Sequence, residues 1–158
     1  MPGRSPPILK TLMLQDAAAS EDLGARLAPL LRARDVVALR GDLGAGKTTL
    51  ARGLLRTLAG DPQMDVPSPT FTLVEVYEFP TIAVWHFDLY RLKQAEDVWE
   101  LGLEQALGEA ASLIEWPERL GGLLPANRLE ISLQAQGDGR RAELTGTGDW
   151  AQRLQALA

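Results

Sequence analysis

Residues 41–48, with the sequence GDLGAGKT, restrict the fold of this chain more than any other segment. They follow a short apolar run at residues 36–39, typical of a buried parallel strand, and they precede a helical pattern at residues 48–58. A strand, a glycine-rich loop and a helix in this order fit the pattern G-x-x-x-x-G-K-[ST], whose loop binds phosphate groups. A glycine-rich turn that contains a lysine by chance is the alternative, and the flanking strand and helix argue against it. The sequence therefore predicts a nucleotide site.

The residue types in this loop suit an anionic ligand. Gly41, Gly44 and Gly46 allow positive φ angles and let backbone N–H groups approach a phosphate closely. Lys47 begins the next helix, so its ammonium and the free N–H groups of the helix end face the β- and γ-phosphates together. Thr48 supplies a hydroxyl to Mg²⁺. The residues expected to contact the nucleotide here are Gly41, Asp42, Leu43, Gly44, Ala45, Gly46, Lys47, Thr48 and Thr49.

Composition excludes several other classes of function. The net charge of −5 argues against a broad electrostatic footprint for nucleic acid. The chain has no cysteine, and His86 is its only histidine, so thiolate and multi-histidine metal sites are excluded and any metal must be bound by oxygen. No apolar run approaches the roughly 20 residues that cross a bilayer, and the N-terminus lacks a signal-peptide core. We expect a soluble, cytoplasmic protein.

The rest of the chain alternates strand and helix patterns over a length that suits one domain, residues 1–158, with a proline-rich disordered tail at residues 1–7. Together with the phosphate loop, these patterns predict an α/β, P-loop NTPase-like three-layer fold with a mixed parallel/antiparallel central sheet. The first strand is expected at an edge, Ser20 is expected to start the first helix, and Asp149 is expected to cap the last. We expect strands at residues 8–14, 36–39, 71–77, 82–87, 111–114, 128–134 and 140–145. We expect helices at residues 20–34, which Pro29 either kinks or ends early, at residues 48–58, at residues 97–107, broken by Gly102, and at residues 150–157.

Two carboxylates follow apolar strands and are candidates for the metal and for catalysis. Asp88 comes after AVWHF and Glu115 after ASLI, and ligands of open α/β sheets bind at the carboxyl ends of strands. Thr70 lies in an extended loop where its hydroxyl could face the site. The structural alternatives are a helix cap or solvated strand end for Asp88 and Glu115, and a turn hydroxyl for Thr70. Trp116 either packs against the nucleotide or holds Pro117 on the core.

Five segments, in order and spacing, carry a resemblance to a known family: GDLGAGKTTLARGLL, SPTFTLV, HFDLYRL, ELGLEQAL and LIEWPERL. They resemble the TsaE family, also called YjeE, over about residues 20–141. These proteins are small bacterial P-loop ATPases needed for threonylcarbamoylation of the adenosine beside the anticodon of certain tRNAs. The phosphate loop alone would not select a family, but SPTF, HFDLYRL and EWPE together are highly specific.

The resemblance implies that the protein binds ATP and Mg²⁺, hydrolyses ATP and acts on the partner proteins TsaB and TsaD, so that tRNA is affected only indirectly. Carried over by position, Lys47 corresponds to the phosphate lysine, Thr48 to the Mg²⁺ ligand, Thr70 to a switch-like loop, Asp88 to the Walker B aspartate, and Glu115 to the glutamate of the EWP motif. Glu115 could act on the attacking water or hold the Mg²⁺ shell.

Two other functions are compatible with a phosphate loop. A small-molecule or nucleoside kinase needs an acceptor pocket and usually an arginine-bearing lid, and Arg91 is the only arginine between Asp88 and Glu115. A nucleotide-binding scaffold without useful turnover is the other alternative. Such a scaffold would bind ATP, but neither hydrolysis nor exchange of the nucleotide would depend on partner proteins.

Overall fold

The computed structural model describes residues 7–157, which form a seven-stranded mixed sheet with helices on both faces. The sheet order is β1-β7-β6-β2-β5-β4-β3. The predicted tail at residues 1–7 lies, apart from Pro7, outside the described residues. The strands are β1 (Lys10–Leu14), β2 (Val36–Arg40), β3 (Val74–Glu78), β4 (Ala83–Asp88), β5 (Ala111–Glu115), β6 (Leu129–Gln136) and β7 (Gly139–Gly146). The helices are α1 (Ala17–Leu27), α2 (Lys47–Ala59), α3 (Leu103–Glu109) and α4 (Trp150–Arg153), with 3-10 segments at Ala28–Leu30, Ala95–Leu101, Pro117–Leu123 and Leu154–Ala156.

Strand β2 lies at the centre of the sheet and is parallel to both neighbours, β5 and β6. Strand β4 is parallel to β5, whereas β3, β7 and β1 are added antiparallel. Alternate residues of the central strands enter two separate cores. Val37 and Leu113 face helices α1 and α2, whereas Val36 and Ile114 face α3 and the nearby 3-10 segments. The predicted three-layer fold with a mixed sheet is therefore confirmed.

Helices α1 and α2 pack against each other at two glycines. A Cβ atom on Gly24 would lie 2.0 Å from the carbonyl oxygen of Leu50, and one on Gly53 would lie 1.9 Å from that of Glu21. Any larger residue would therefore push the helices apart. Because α2 begins at Lys47, this close contact also fixes the position of the predicted phosphate loop.

The first helix begins three residues earlier than predicted, and its cap is a different residue. Asp16 occupies the N-cap position, and its side chain accepts a hydrogen bond from the backbone N–H of Ala19 at 2.8 Å. Ser20, the predicted start, is buried within the helix. Pro29 does not kink α1, because the α-helix ends at Leu27 and the proline lies in the 3-10 turn that follows.

The start of strand β3 and the capping of α4 also differ from the prediction. Strand β3 begins at Val74, because the residues before it form a turn in which the N–H of Leu73 donates to the carbonyl of Pro69 at 2.7 Å. Asp149 stands at the N-cap position of α4 without a capping bond, since its carboxylate pairs with Arg32 and Arg153. The predicted edge strand at the N-terminus is confirmed as β1. Within residues 7–157, no helix has the length and apolar character to span a bilayer.

Candidate functional site

The predicted phosphate loop connects β2 to α2, and its glycines are required for different reasons. Gly44 and Gly46 have φ angles of 79° and 101°, which side-chain-bearing residues rarely adopt. Gly41 is also confined by packing, because a Cβ atom there would lie 2.9 Å from the carbonyl oxygen of Leu133 and from Cβ of Ala45. The loop thus leaves the N-terminal end of α2 open towards the cleft, where free N–H groups favour an anion.

Lys47 is the first residue of α2 and is only 5 % exposed. Its ammonium donates hydrogen bonds to the carbonyl oxygens of Gly41 and Asp42, the latter at 3.0 Å. It also lies 4.1 Å from the centre of the Trp116 ring. Burial lowers the pKa of Lys47, and the neighbouring carboxylates, first of all Glu115, oppose that shift. The lysine is thus partly desolvated, and its charge lies next to acidic groups.

The two predicted carboxylates are neighbours. Asp88 and Glu115 are paired in register at the ends of the parallel strands β4 and β5, and both are buried. The Thr48 hydroxyl lies 3.0 Å from each oxygen of the Glu115 carboxylate. The first turn of α2 therefore contacts the carboxyl ends of these strands, as the sequence predicts.

Thr70 reaches the same place from the loop that precedes β3. Its hydroxyl donates to Oδ2 of Asp88 at 3.1 Å, and Ser68 Oγ lies 2.8 Å from it. The backbone N–H of Asp88 donates to the carbonyl of Leu73 at 3.0 Å. Hydrogen bonds therefore connect both the side chain and the backbone of Asp88 to this loop. A movement of the loop would also displace the carboxylate.

Trp116 combines an unusual backbone with two ring contacts. Its φ of 59° is in the left-handed region, which is uncommon for a residue with a large side chain. Its ring lies against Lys47 and, at 4.8 Å between centroids, against Tyr90. The side chain thus contributes to the wall of the cleft and contacts Lys47, and it also precedes Pro117.

A cleft of about 240 Å³ brings the predicted residues together. Gly41 and Asp42 are the exceptions, because they do not line the cleft and contact Lys47 only through their carbonyls. A larger groove of about 480 Å³ lies between α1 and the C-terminal end of α2, away from the carboxylates. The cleft is lined by Leu43, Gly44, Ala45, Gly46, Lys47, Thr48, Thr49, Ser68, Thr70, Asp88, Glu115 and Trp116.

Sequence reasoning missed two residues of this region. Ser68 lines the cleft, although the sequence singled out only Thr70 of the SPTF segment. His86 is fully buried, and its Nε2 atom lies 2.6 Å from Oε2 of Glu115. The sequence carried one signal for it: His86 precedes Asp88 by two residues in a strand, so the two side chains share a face.

The oxygen atoms around the cleft fit the chemistry of Mg²⁺. No cluster of three or more His, Cys, Asp or Glu side chains able to hold a metal occurs in residues 7–157. Asp88, Glu115 and Thr48 nevertheless offer two carboxylates and a hydroxyl. Mg²⁺ at phosphate sites commonly uses one or two carboxylates, with substrate oxygens and waters completing an octahedron. These three residues could therefore hold the metal together with a nucleotide.

Comparison with known proteins gives a consistent result. The model of the family "Threonylcarbamoyl adenosine biosynthesis protein TsaE" matches residues 14–143. Proteins named tRNA threonylcarbamoyladenosine biosynthesis protein TsaE are similar to this chain in Rickettsia felis, with 38 % identity over 82 % of this chain and 75 % of the relative, and in Haemophilus influenzae, with 42 % identity over 69 % and 68 %. The crystal structure of Bacillus subtilis YdiB has the same fold, with a TM-score of 0.76, 24 % identity, and coverage of 98 % of this chain and 96 % of that one. The chain therefore belongs to the TsaE family.

Proposed function

We propose that this protein binds and hydrolyses ATP in the biosynthesis of threonylcarbamoyladenosine in tRNA. The observation that carries the proposal is the convergence of Lys47, Thr48, Asp88 and Glu115 on one cleft. A phosphate loop, two carboxylates and a hydroxyl are the parts that ATP hydrolysis with Mg²⁺ requires. The names of the family and of its relatives connect this chemistry to the tRNA modification.

Each residue has a distinct task in this proposal. The N–H groups at the start of α2 bind phosphate oxygens, and the Lys47 ammonium attracts their charge. Thr48 and Asp88 would hold Mg²⁺, which neutralises charge on the phosphates when it is bound. Glu115 orients the attacking water or holds the shell of the metal, while Trp116 lines the nucleotide site. Thr70 ties the loop before β3 to Asp88 at 3.1 Å.

The rim of the cleft supports a role together with other proteins. Leu43, which lines the cleft, is 68 % exposed, and Phe71, which follows the cleft residue Thr70 in the chain, is 81 % exposed. Large apolar side chains that stay exposed are candidates for contact with another protein. We therefore propose that TsaB and TsaD, the partners implied by the family resemblance, act at this rim. The protein would affect tRNA only through them, and it would work in the cytoplasm.

The decisive experiment measures ATP turnover by the purified protein alone and with TsaB and TsaD, followed by mass analysis of the tRNA. We expect turnover and modified adenosine in the complete mixture, and neither with the Lys47→Ala variant. Phosphate transfer to a small molecule instead of water would indicate a kinase. ATP binding without any turnover would indicate a scaffold. Full tRNA modification in the absence of this protein would contradict the proposed role.

A further inference from the structure

His86 lies directly beneath the candidate site and has no task in the proposed function. It is located in β4 two residues before Asp88, and both side chains project from the same face of the sheet. In the pairing of β4 with β5, His86 lies opposite Leu113, and Asp88 lies opposite Glu115. The imidazole is therefore two residues further from the carboxyl ends of these strands than the two carboxylates are. Its side chain has 0 % exposure.

The imidazole makes a short, directed contact with Glu115. Its Nε2 atom is 2.6 Å from Oε2 of the carboxylate. The proposed function requires an ionised Glu115, and such a carboxylate can only accept a hydrogen bond, so in that state the Nε2–H group of His86 would be the donor. No hydrogen bond reaches the Glu115 carboxylate within residues 7–157 except from His86 and from the Thr48 hydroxyl. The carboxylate is thus held from the core side by a ring and from the cleft side by a hydroxyl.

Filling the core does not account for a histidine at this position. The other ring nitrogen, Nδ1, is buried and has no hydrogen-bond partner among the described residues. An aliphatic side chain would fill the same space without leaving a polar atom unpaired, which costs stability. The single hydrogen bond of the imidazole is directed at Glu115, and that bond is what the histidine contributes.

We propose that His86 is a positioning residue that fixes the Glu115 carboxylate for the reaction at the γ-phosphate. This inference rests on the proposed function, because it assumes that Glu115 acts on water or on the metal. The Thr48 hydroxyl also has to serve the metal, whereas His86 is held by a strand inside the core. His86 therefore keeps Oε2 in place from the core side, while the Thr48 hydroxyl lies 3.0 Å from both carboxylate oxygens.

Two substitutions separate this role from simple packing. His86→Leu removes the donor at similar volume, whereas His86→Gln retains an N–H group that can reach Glu115. We expect the leucine variant to lower kcat by about 10–100-fold, as loss of an orienting partner does, while the dissociation constant for ATP stays within about threefold. The glutamine variant should recover most of kcat. His86→Leu added to Glu115→Gln should cause no further loss. An unchanged kcat in His86→Leu, or a further loss in the double variant, would overturn the proposal.

A second measurement decides the question even if the leucine variant does not fold. His86 is the only histidine of the chain, so its ring nitrogens give a single set of NMR signals in the full-length protein without a histidine tag. We expect the tautomer protonated at Nε2, with signals that shift in Glu115→Gln. Signals that Glu115→Gln leaves unchanged would overturn the proposal. Absence of ATP turnover in the wild type would instead defeat the proposed function, and the NMR signals would still report whether His86 holds Glu115.

Discussion

The two walls of the candidate cleft are built in different ways. The loop wall, residues 43–49, is one continuous segment that offers mainly backbone N–H groups and one ammonium. The strand-end wall consists of Thr70, Asp88, Glu115 and Trp116, with His86 behind it, and it offers side chains from three separate segments. The loop wall suits the binding of phosphates, and the strand-end wall suits the metal and the chemistry. Substitutions in the first should mainly weaken binding, and substitutions in the second should mainly slow turnover.

Lys47→Ala should have the largest effect and should affect both properties. It removes the only ammonium among the described residues that line the cleft, and a charge-assisted contact of this kind contributes about 2 kcal/mol, or roughly 30-fold in affinity. Turnover should nearly disappear, because charge develops on the phosphates in the transition state. Calorimetry and a phosphate-release assay test this, with Lys93→Ala as the control because Lys93 is exposed. Normal turnover in a folded Lys47→Ala protein would refute the role of the loop wall.

Glu115→Gln should separate the two walls most clearly. The amide keeps the shape of the carboxylate but cannot take a proton, so we expect kcat to fall by about a hundredfold or more while ATP affinity is largely retained. The matched control is Glu118→Gln, because Glu118 is exposed and also acts on the charge of Lys47. If ATP affinity and kcat fell by the same factor, Glu115 would contribute to ATP binding in the way expected of the loop wall.

The difference between the walls also explains what could be predicted from the sequence. The strand, loop and helix around residues 41–48 are neighbours in the chain, so local patterns were sufficient to predict β2, the glycine-rich loop and α2. Asp88 and Glu115 were predicted as strand ends, because apolar runs that end in a carboxylate are also local. Their location at the same edge of the sheet required only that both strands be parallel.

The missed features depend on residues that are distant in the chain. The contact of His86 with Glu115 follows from the register of β4 and β5, which no local pattern specifies. Asp149 resembles a cap in sequence, but it pairs with Arg32, which comes 117 residues earlier. In each case a tertiary partner competes with the local role that the residue type suggests.

Asp88→Asn should show its effect in the metal dependence. The amide removes the negative charge that attracts Mg²⁺, so we expect the Mg²⁺ concentration for half-maximal turnover to rise at least about tenfold, with a smaller change in ATP binding measured without metal. Thr70→Val tests the neighbouring hydroxyl, because it removes the hydrogen bond to Asp88 without changing the carboxylate. An Asp88→Asn protein with unchanged Mg²⁺ dependence would exclude Asp88 as a ligand.

The lowered pKa of Lys47 predicts how the loop wall responds to pH. Burial moves this pKa below its usual 10.5, so the ammonium loses its proton at a lower pH than an exposed lysine does. ATP affinity should be highest below the Lys47 pKa, where the ammonium is fully protonated. It should fall by up to about tenfold per pH unit as the pH rises through that pKa. Titration by calorimetry between neutral and alkaline pH tests this. Lys47→Arg keeps its charge over that range, so the same fall in the arginine variant would assign the pH dependence to another group.

Trp116 should give the smallest effect, and it lies where the two walls meet. Its ring is 4.1 Å from Nζ of Lys47, and a contact of this kind contributes about 0.5–1 kcal/mol near a surface. When phosphates attract the ammonium, this contact should weaken, so the intrinsic fluorescence of the protein should change on ATP binding. Trp116→Phe should abolish that change and alter ATP affinity by no more than about fivefold, because a phenyl ring keeps a weaker form of the contact. Trp85→Phe serves as the control, since Trp85 packs against Gly102 away from the cleft. If the fluorescence change persisted in Trp116→Phe and disappeared in Trp85→Phe, Trp116 would have only a structural role beside Pro117. The contact between the two walls would then involve other residues.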